Sequence, residues 1–95
     1  MNYFKTLIPF FWGKYMGFFD NYKCKKLLKK GFKLQKQGKH QEALECFDKV
    51  TKLDPENLDA WYNKGVEHRQ LGDEGAAIAC FGKAVIIDFN RPLPK

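Results

Sequence analysis

Residues 61–84 read WYNKGVEHRQLGDEGAAIACFGKA, and 34 residues upstream the same skeleton is already present. Lys30-Gly31, Gly38, Ala43, Cys46-Phe47, Lys49 and Asp54 are matched by Lys64-Gly65, Gly72, Ala77, Cys80-Phe81, Lys83 and Asp88. A fixed period of this length marks supersecondary units that cannot bury their apolar faces alone and must stack on one another. Such stacks work chiefly by presenting a surface.

Outward from that echo the chain reads as helices separated by short breaks. Asp20 is placed to cap a helix over Asn21–Gln37, with Leu27, Leu28, Gly31 and Leu34 on one stripe. Gly38-Lys39-His40 is a tight break, since glycine past the last turn is the usual helix stop. A second helix is expected over Gln41–Leu53, with Ala43, Leu44, Phe47 and Val50 at helical spacing. Pro55 disfavours helix through Asp54, and Asn57 can then cap a third helix over Leu58–Leu71. Gly72-Asp73 breaks again before a fourth helix over Gly75–Ile87, and Arg91–Lys95 reads as an extended tail. The spacing pairs Gly31 with Ala43 and Gly65 with Ala77 as small residues that let two helices approach, leaving Phe47 and Phe81 to fill wider gaps. The organisation expected is an aromatic and basic segment at 1–20, one unit at 21–57, a second at 58–91 and a tail at 92–95.

Charge is divided along the chain. Residues 1–40 carry ten lysines against Asp20, a balance of +9, whereas residues 41–95 carry seven bases and ten acids, a balance of −3. A basic half of this kind can attract nucleic acid, an anionic membrane surface, an acidic protein or the acidic end of another copy. Cys24, Cys46 and Cys80 form no CxxC pair and no metal-like cluster, which fits reduced thiols in the cytoplasm. Cys46 and Cys80 hold equivalent positions beside a phenylalanine and read as small packing residues. The run Leu7 to Trp12 is far shorter than the ~20 residues of a spanning helix and lacks a signal-peptide cleavage site. A cytoplasmic protein is expected.

The quoted residues resemble the tetratricopeptide repeat, a 34-residue helix–turn–helix unit. Trp61-Tyr62-Asn63-Lys64-Gly65, Leu71-Gly72-Asp73, Ala77-Ile78 and Cys80-Phe81-Gly82-Lys83-Ala84 follow the family pattern, and Leu27, Leu34, Ala43, Phe47 and Pro55 give a looser first unit. The resemblance covers roughly Cys24 to Arg91. It implies an all-α, right-handed stack of antiparallel helical hairpins, a short α-solenoid of two repeats plus the aromatic N-terminal segment. Two departures stand out. His68 replaces the usual tyrosine and reads as a half-buried, hydrogen-bonded histidine, and Phe89 replaces the usual proline, so the last helix is expected to run on by a residue or two. Stacks generally need about three units. Residues 1–20 are therefore a candidate cap, and the last hairpin is expected to leave Ile78, Val85 or Phe89 exposed, which opens a route to homo-oligomerisation.

The family binds protein segments on a concave face lined by the first helix of each unit. Carried over, that face comprises Lys25, Leu28, Phe32, Gln35 and Lys36, then Asp59, Tyr62, Asn63, Val66, Arg69 and Gln70. Asn63 matches one position of the carboxylate clamp seen in some members, but Leu28 and Phe32 stand where that clamp wants Lys and Asn, which argues against it. An apolar centre ringed by Lys25, Lys36 and Arg69 suits a protein or peptide partner bearing an apolar anchor and some acid. The alternative is a peripheral membrane-surface or assembly adaptor, in which Phe10, Phe11, Trp12, Phe18 and Phe19 with Lys5 and Lys14 lie on an anionic bilayer. Nucleic acid is disfavoured, because the lysines come with no recognisable binding motif. No nucleophile–base set, phosphate loop or ligand cluster points to catalysis, a metal or a cofactor. His40 sits in a turn, and Glu42, Glu45 and Asp48 read as a solvated helix face.

Overall fold

The computed structural model describes residues 21–91, and all of its regular structure is helical: α1 over residues 21–36, α2 over His40–Leu53, α3 over Leu58–Gln70 and α4 over Glu74–Phe89. Expectations for residues 1–20, Asp20 included, and for 92–95 lie outside the described residues. The chain is an all-α stack of helical hairpins. Gly38 and Gly72 stop α1 and α3 with φ of 75° and 86°, a left-handed conformation that only a residue without Cβ enters freely. Each of the last two helices begins at a side-chain cap. Asn57 Oδ1 accepts from the Ala60 amide at 3.0 Å, and Asp73 Oδ1 accepts from the Ala76 amide at 3.1 Å. With no proline at position 89, α4 continues to Phe89, two residues past the expected stop.

Lys39 leads into α2 with φ −87° and ψ 71°, close to the −97° and 80° of Asp73, yet it supplies no cap. The two positions are equivalent in the repeat, so Lys39→Asp should place a carboxylate on an open α2 amide. The expected gain is ~1 kcal/mol, a rise of about 4–8 °C in Tm for a domain of this size. An unchanged Tm in a thermal melt would show that α2 has no use for a cap.

Packing follows helical periodicity. Ala43, Cys46, Phe47, Val50 and Thr51 are the buried residues of α2, at the i, i+3, i+4, i+7, i+8 spacing of one face. The core joins both hairpins: Cys24 of α1, Val50 of α2 and Ala60 of α3 are buried together, with Leu27, Leu28 and Leu53 around them. Cys46 and Cys80 are 6% and 5% exposed, the packing residues their repeat positions imply. Burial pushes the Cys80 thiol above its ordinary pKa, which favours the protonated, unreactive form.

The close approach within each hairpin differs from the expected pairing. Gly31 meets Phe47 and Gly65 meets Phe81, each with the phenyl ring seated on the glycine. A Cβ added to either would stand 2.7 Å from the ring's Cε1. Glycine here makes room for an aromatic ring, where the sequence reading paired it with alanine. The phenylalanines are thus the contact itself and do not fill a gap beside it.

Candidate functional site: the α1–α3 face and the open end of the second hairpin

Polar contacts fix α3 against the first hairpin, and they run through a residue the sequence reading passed over. Glu67 is fully buried. Gln35 Nε2 donates to its Oε1 at 2.7 Å, and His40 Nδ1 meets its Oε2 at 2.6 Å. One side chain from α1 and one from α2 therefore hold a carboxyl group from α3. On the other flank Lys64 Nζ reaches Asp48 Oδ1 at 2.8 Å and lies 4.9 Å from the Trp61 ring centroid. The Lys64 ammonium holds the Asp48 carboxyl below its ordinary pKa against the opposing effect of burial. Asp48 is thus half of a cross-hairpin ion pair, not simply part of a solvated face. His40 opens α2 as a structural ligand of Glu67, whereas His68 is half-buried and its carbonyl accepts from the Asp73 amide at 2.8 Å.

The residues assigned to the partner face divide by exposure. Lys25, Phe32 and Lys36 on α1 and Asp59, Tyr62, Arg69 and Gln70 on α3 are exposed, while Leu28, Gln35, Asn63 and Val66 are half-buried. Leu28 packs against the shared core, and the Gln35 amide is committed to Glu67. Asn63 Nδ2 donates to the Asp59 carbonyl at 2.7 Å, so its amide is also occupied locally. Two exposed aromatics remain, each braced from beneath. Phe32 lies 5.5 Å from Phe47 and Tyr62 lies 5.5 Å from Phe81, centroid to centroid, in tilted geometry.

A cavity of about 490 Å³ opens beside Tyr62, lined also by Leu58, Asp59, Phe81, Ala84, Val85 and Asp88. A second of about 290 Å³ lies between Arg69, Glu74, Ala77, Ile78 and Phe81. Phe81 borders both, so one groove follows α4. The α4 residues in it were not among the expected binding residues, although Val85, Ile78 and Phe89 are 67%, 69% and 86% exposed as the shortage of units implied.

A TPR-repeat family pattern matches residues 33–72, and a tetratricopeptide-repeat pattern matches residues 58–91. The chain belongs to the tetratricopeptide-repeat family. It is also 37% identical over 60 residues to an uncharacterized protein of Methanocaldococcus jannaschii, a match spanning 63% of this chain and 70% of that protein. Tetratricopeptide repeats generally mediate contact between proteins, and proteins built from them are typically scaffolds without catalytic activity. Among the described residues no helix is long and apolar enough to cross a membrane.

Proposed function

We propose that this tetratricopeptide-repeat protein is a non-catalytic interaction module that docks a peptide or helical segment of a partner protein across α1 and α3. The observation that carries this reading is the pair of braced aromatics. Phe32 and Tyr62 are exposed, yet each rests on the phenylalanine that is itself seated on a glycine. Held rings lose little side-chain freedom on binding, which is what gives aromatic anchors their weight at interfaces. Lys25, Lys36 and Arg69 around them favour a partner segment with an apolar anchor and acidic neighbours. Two helices offer a small contact, at or below ~1,200 Å², so micromolar affinity is the fitting range.

The test is partner capture from the source cell followed by titration of the captured protein. Phe32→Ala with Tyr62→Ala should abolish binding while the helical circular dichroism stays intact. Undiminished binding by that double variant would place the site elsewhere.

A further inference from the structure

The apolar surface of the second hairpin extends beyond what a further repeat would cover. Ile78, Val85, Ile86 and Phe89 are each more than half exposed on α4, with exposed Gly75, Ala79 and Gly82 between them. Together they recur at i, i+3, i+4, i+7, i+10, i+11 and i+14, one uncharged stripe along the outer face of the helix. At the same repeat positions α2 is polar: Gly75 becomes Gln41, Ala79 becomes Glu45, Gly82 becomes Asp48 and Ile86 becomes Lys52. Val85 stands at the register of buried Thr51, so a following unit would cover it. Such a unit would not cover Ala79 and Ile86, since Glu45 and Lys52 are exposed even where a second hairpin follows them. The glycine at 82 is equally unexplained within one chain. Its φ is not positive, and a Cβ added there would meet nothing within 4 Å, yet a glycine inside a helix weakens it.

We infer that this stripe is a dimer interface, in which the α4 helices of two copies pack antiparallel about a two-fold axis at Gly82. The stripe is complementary to itself in that arrangement. Gly82 lies at the middle of Glu74–Phe89, and with no side chain it lets two helices of ~24 Å approach closely. Residues equally far on either side of it then face each other: Phe89 meets Gly75, Val85 meets Ala79 and Ile86 meets Ile78. Two of these pairs set a larger side chain against a smaller one. Phe89 on Gly75 repeats, between copies, the seat that Phe47 makes on Gly31 and Phe81 on Gly65. Charge agrees at the rim. The antiparallel order brings exposed Arg91, just past the end of α4, to exposed Asp73 and Glu74 at the start of the other copy's α4. A parallel pair would instead set Arg91 against Arg91 and Phe89 against Phe89. A strongly acidic or basic partner finds nothing to pair with inside a stripe that carries no charge. The contact is small, at or below ~1,200 Å², which fits a dimer that forms in the micromolar range.

The inference does not depend on the partner reading, because it is read from the mass of the full chain alone. In sedimentation equilibrium that mass should rise from one chain to two across micromolar concentrations and stop at two. Gly82→Glu should hold the protein at one chain throughout. Glutamate is a better helix former than glycine, so at concentrations where the parent is a single chain the variant's Tm should not fall. Lys49→Gln makes the same change in net charge on an exposed position of α2 and should leave dimerisation intact. Arg91→Glu should raise the dimer dissociation constant about tenfold, and adding Glu74→Arg should restore most of that loss. These two positions lie at opposite ends of one α4, so only contact between copies can couple them. A single chain at every concentration would overturn the inference, and so would growth beyond two copies, which marks head-to-tail association. Either a dimer that survives Gly82→Glu or a double variant without rescue rejects the antiparallel pair about Gly82.

Discussion

Phe47→Ala should be the most damaging truncation in the molecule, with a loss of about 4 kcal/mol. Its ring is fully buried, sits directly on Gly31 and braces Phe32. Truncation removes the ring's transfer free energy and leaves a void closed on all sides, which adds the cavity term. Phe81→Ala is the internal control, since the same residue occupies the same repeat position on Gly65. Phe81 is half-buried, however, and already borders two open cavities, so water or a neighbouring side chain can enter the vacated space. Its cost should be about half as large. Urea unfolding followed by circular dichroism decides the matter through the two midpoints. Natural domains are stable by only ~5–15 kcal/mol, so Phe47→Ala should move its midpoint most of the way toward zero denaturant. Equal shifts for the two variants would mean that the second hairpin is as enclosed as the first.

The contrast between those two phenylalanines also shows what the sequence could reveal. The hairpins were legible because their signals are local: apolar residues at helical spacing, glycines at the stops, Asn57 at a cap. The exposed Ile78, Val85 and Phe89 were legible for a different reason, since counting two units where stacks need about three leaves one apolar face without a neighbour. The Gly31–Phe47 seat was half-visible. Both residues recur with the repeat, but which small residue faces which large one depends on helix rotation, and the spacing is compatible with Ala43 or Phe47. Glu67 was not legible at all. A glutamate in a lysine- and arginine-containing helix reads as solvated, and its burial depends on Gln35 and His40, about 30 residues away in another hairpin. One signal was available. Glu67 stands at the register of Lys33, on the side of the first helix that in α3 meets the preceding hairpin, where a charge needs a partner.

That cross-hairpin site supports an expectation whose sign depends on which side of the contact is removed. His40→Ala should cost about 3 kcal/mol, the low end of the range for breaking a buried pair. It leaves buried Glu67 Oε2 without its His40 partner, while Gln35 still satisfies Oε1. The low end applies because the His40 side chain is 31% exposed, so its removal admits some water. Glu67→Met works from the other side and should cost ~1 kcal/mol or less. It fills nearly the same volume with apolar atoms, and the groups it orphans are not enclosed. His40 can turn to solvent, and the half-buried Gln35 amide retains Asn63 Oδ1 at 3.5 Å. The ordering therefore separates two accounts of the contact. If Glu67 were a net source of stability, removing it would be at least as costly as removing His40. If it chiefly fixes how the hairpins meet, His40→Ala is the worse variant. Glu67→Met then keeps its stability but loosens the junction, seen as faster amide exchange at the facing ends of α1 and α3 with a nearly unchanged urea midpoint. A larger midpoint loss for Glu67→Met than for His40→Ala would reject the second account, and equal amide exchange in Glu67→Met and the parent would remove the role in specifying the junction.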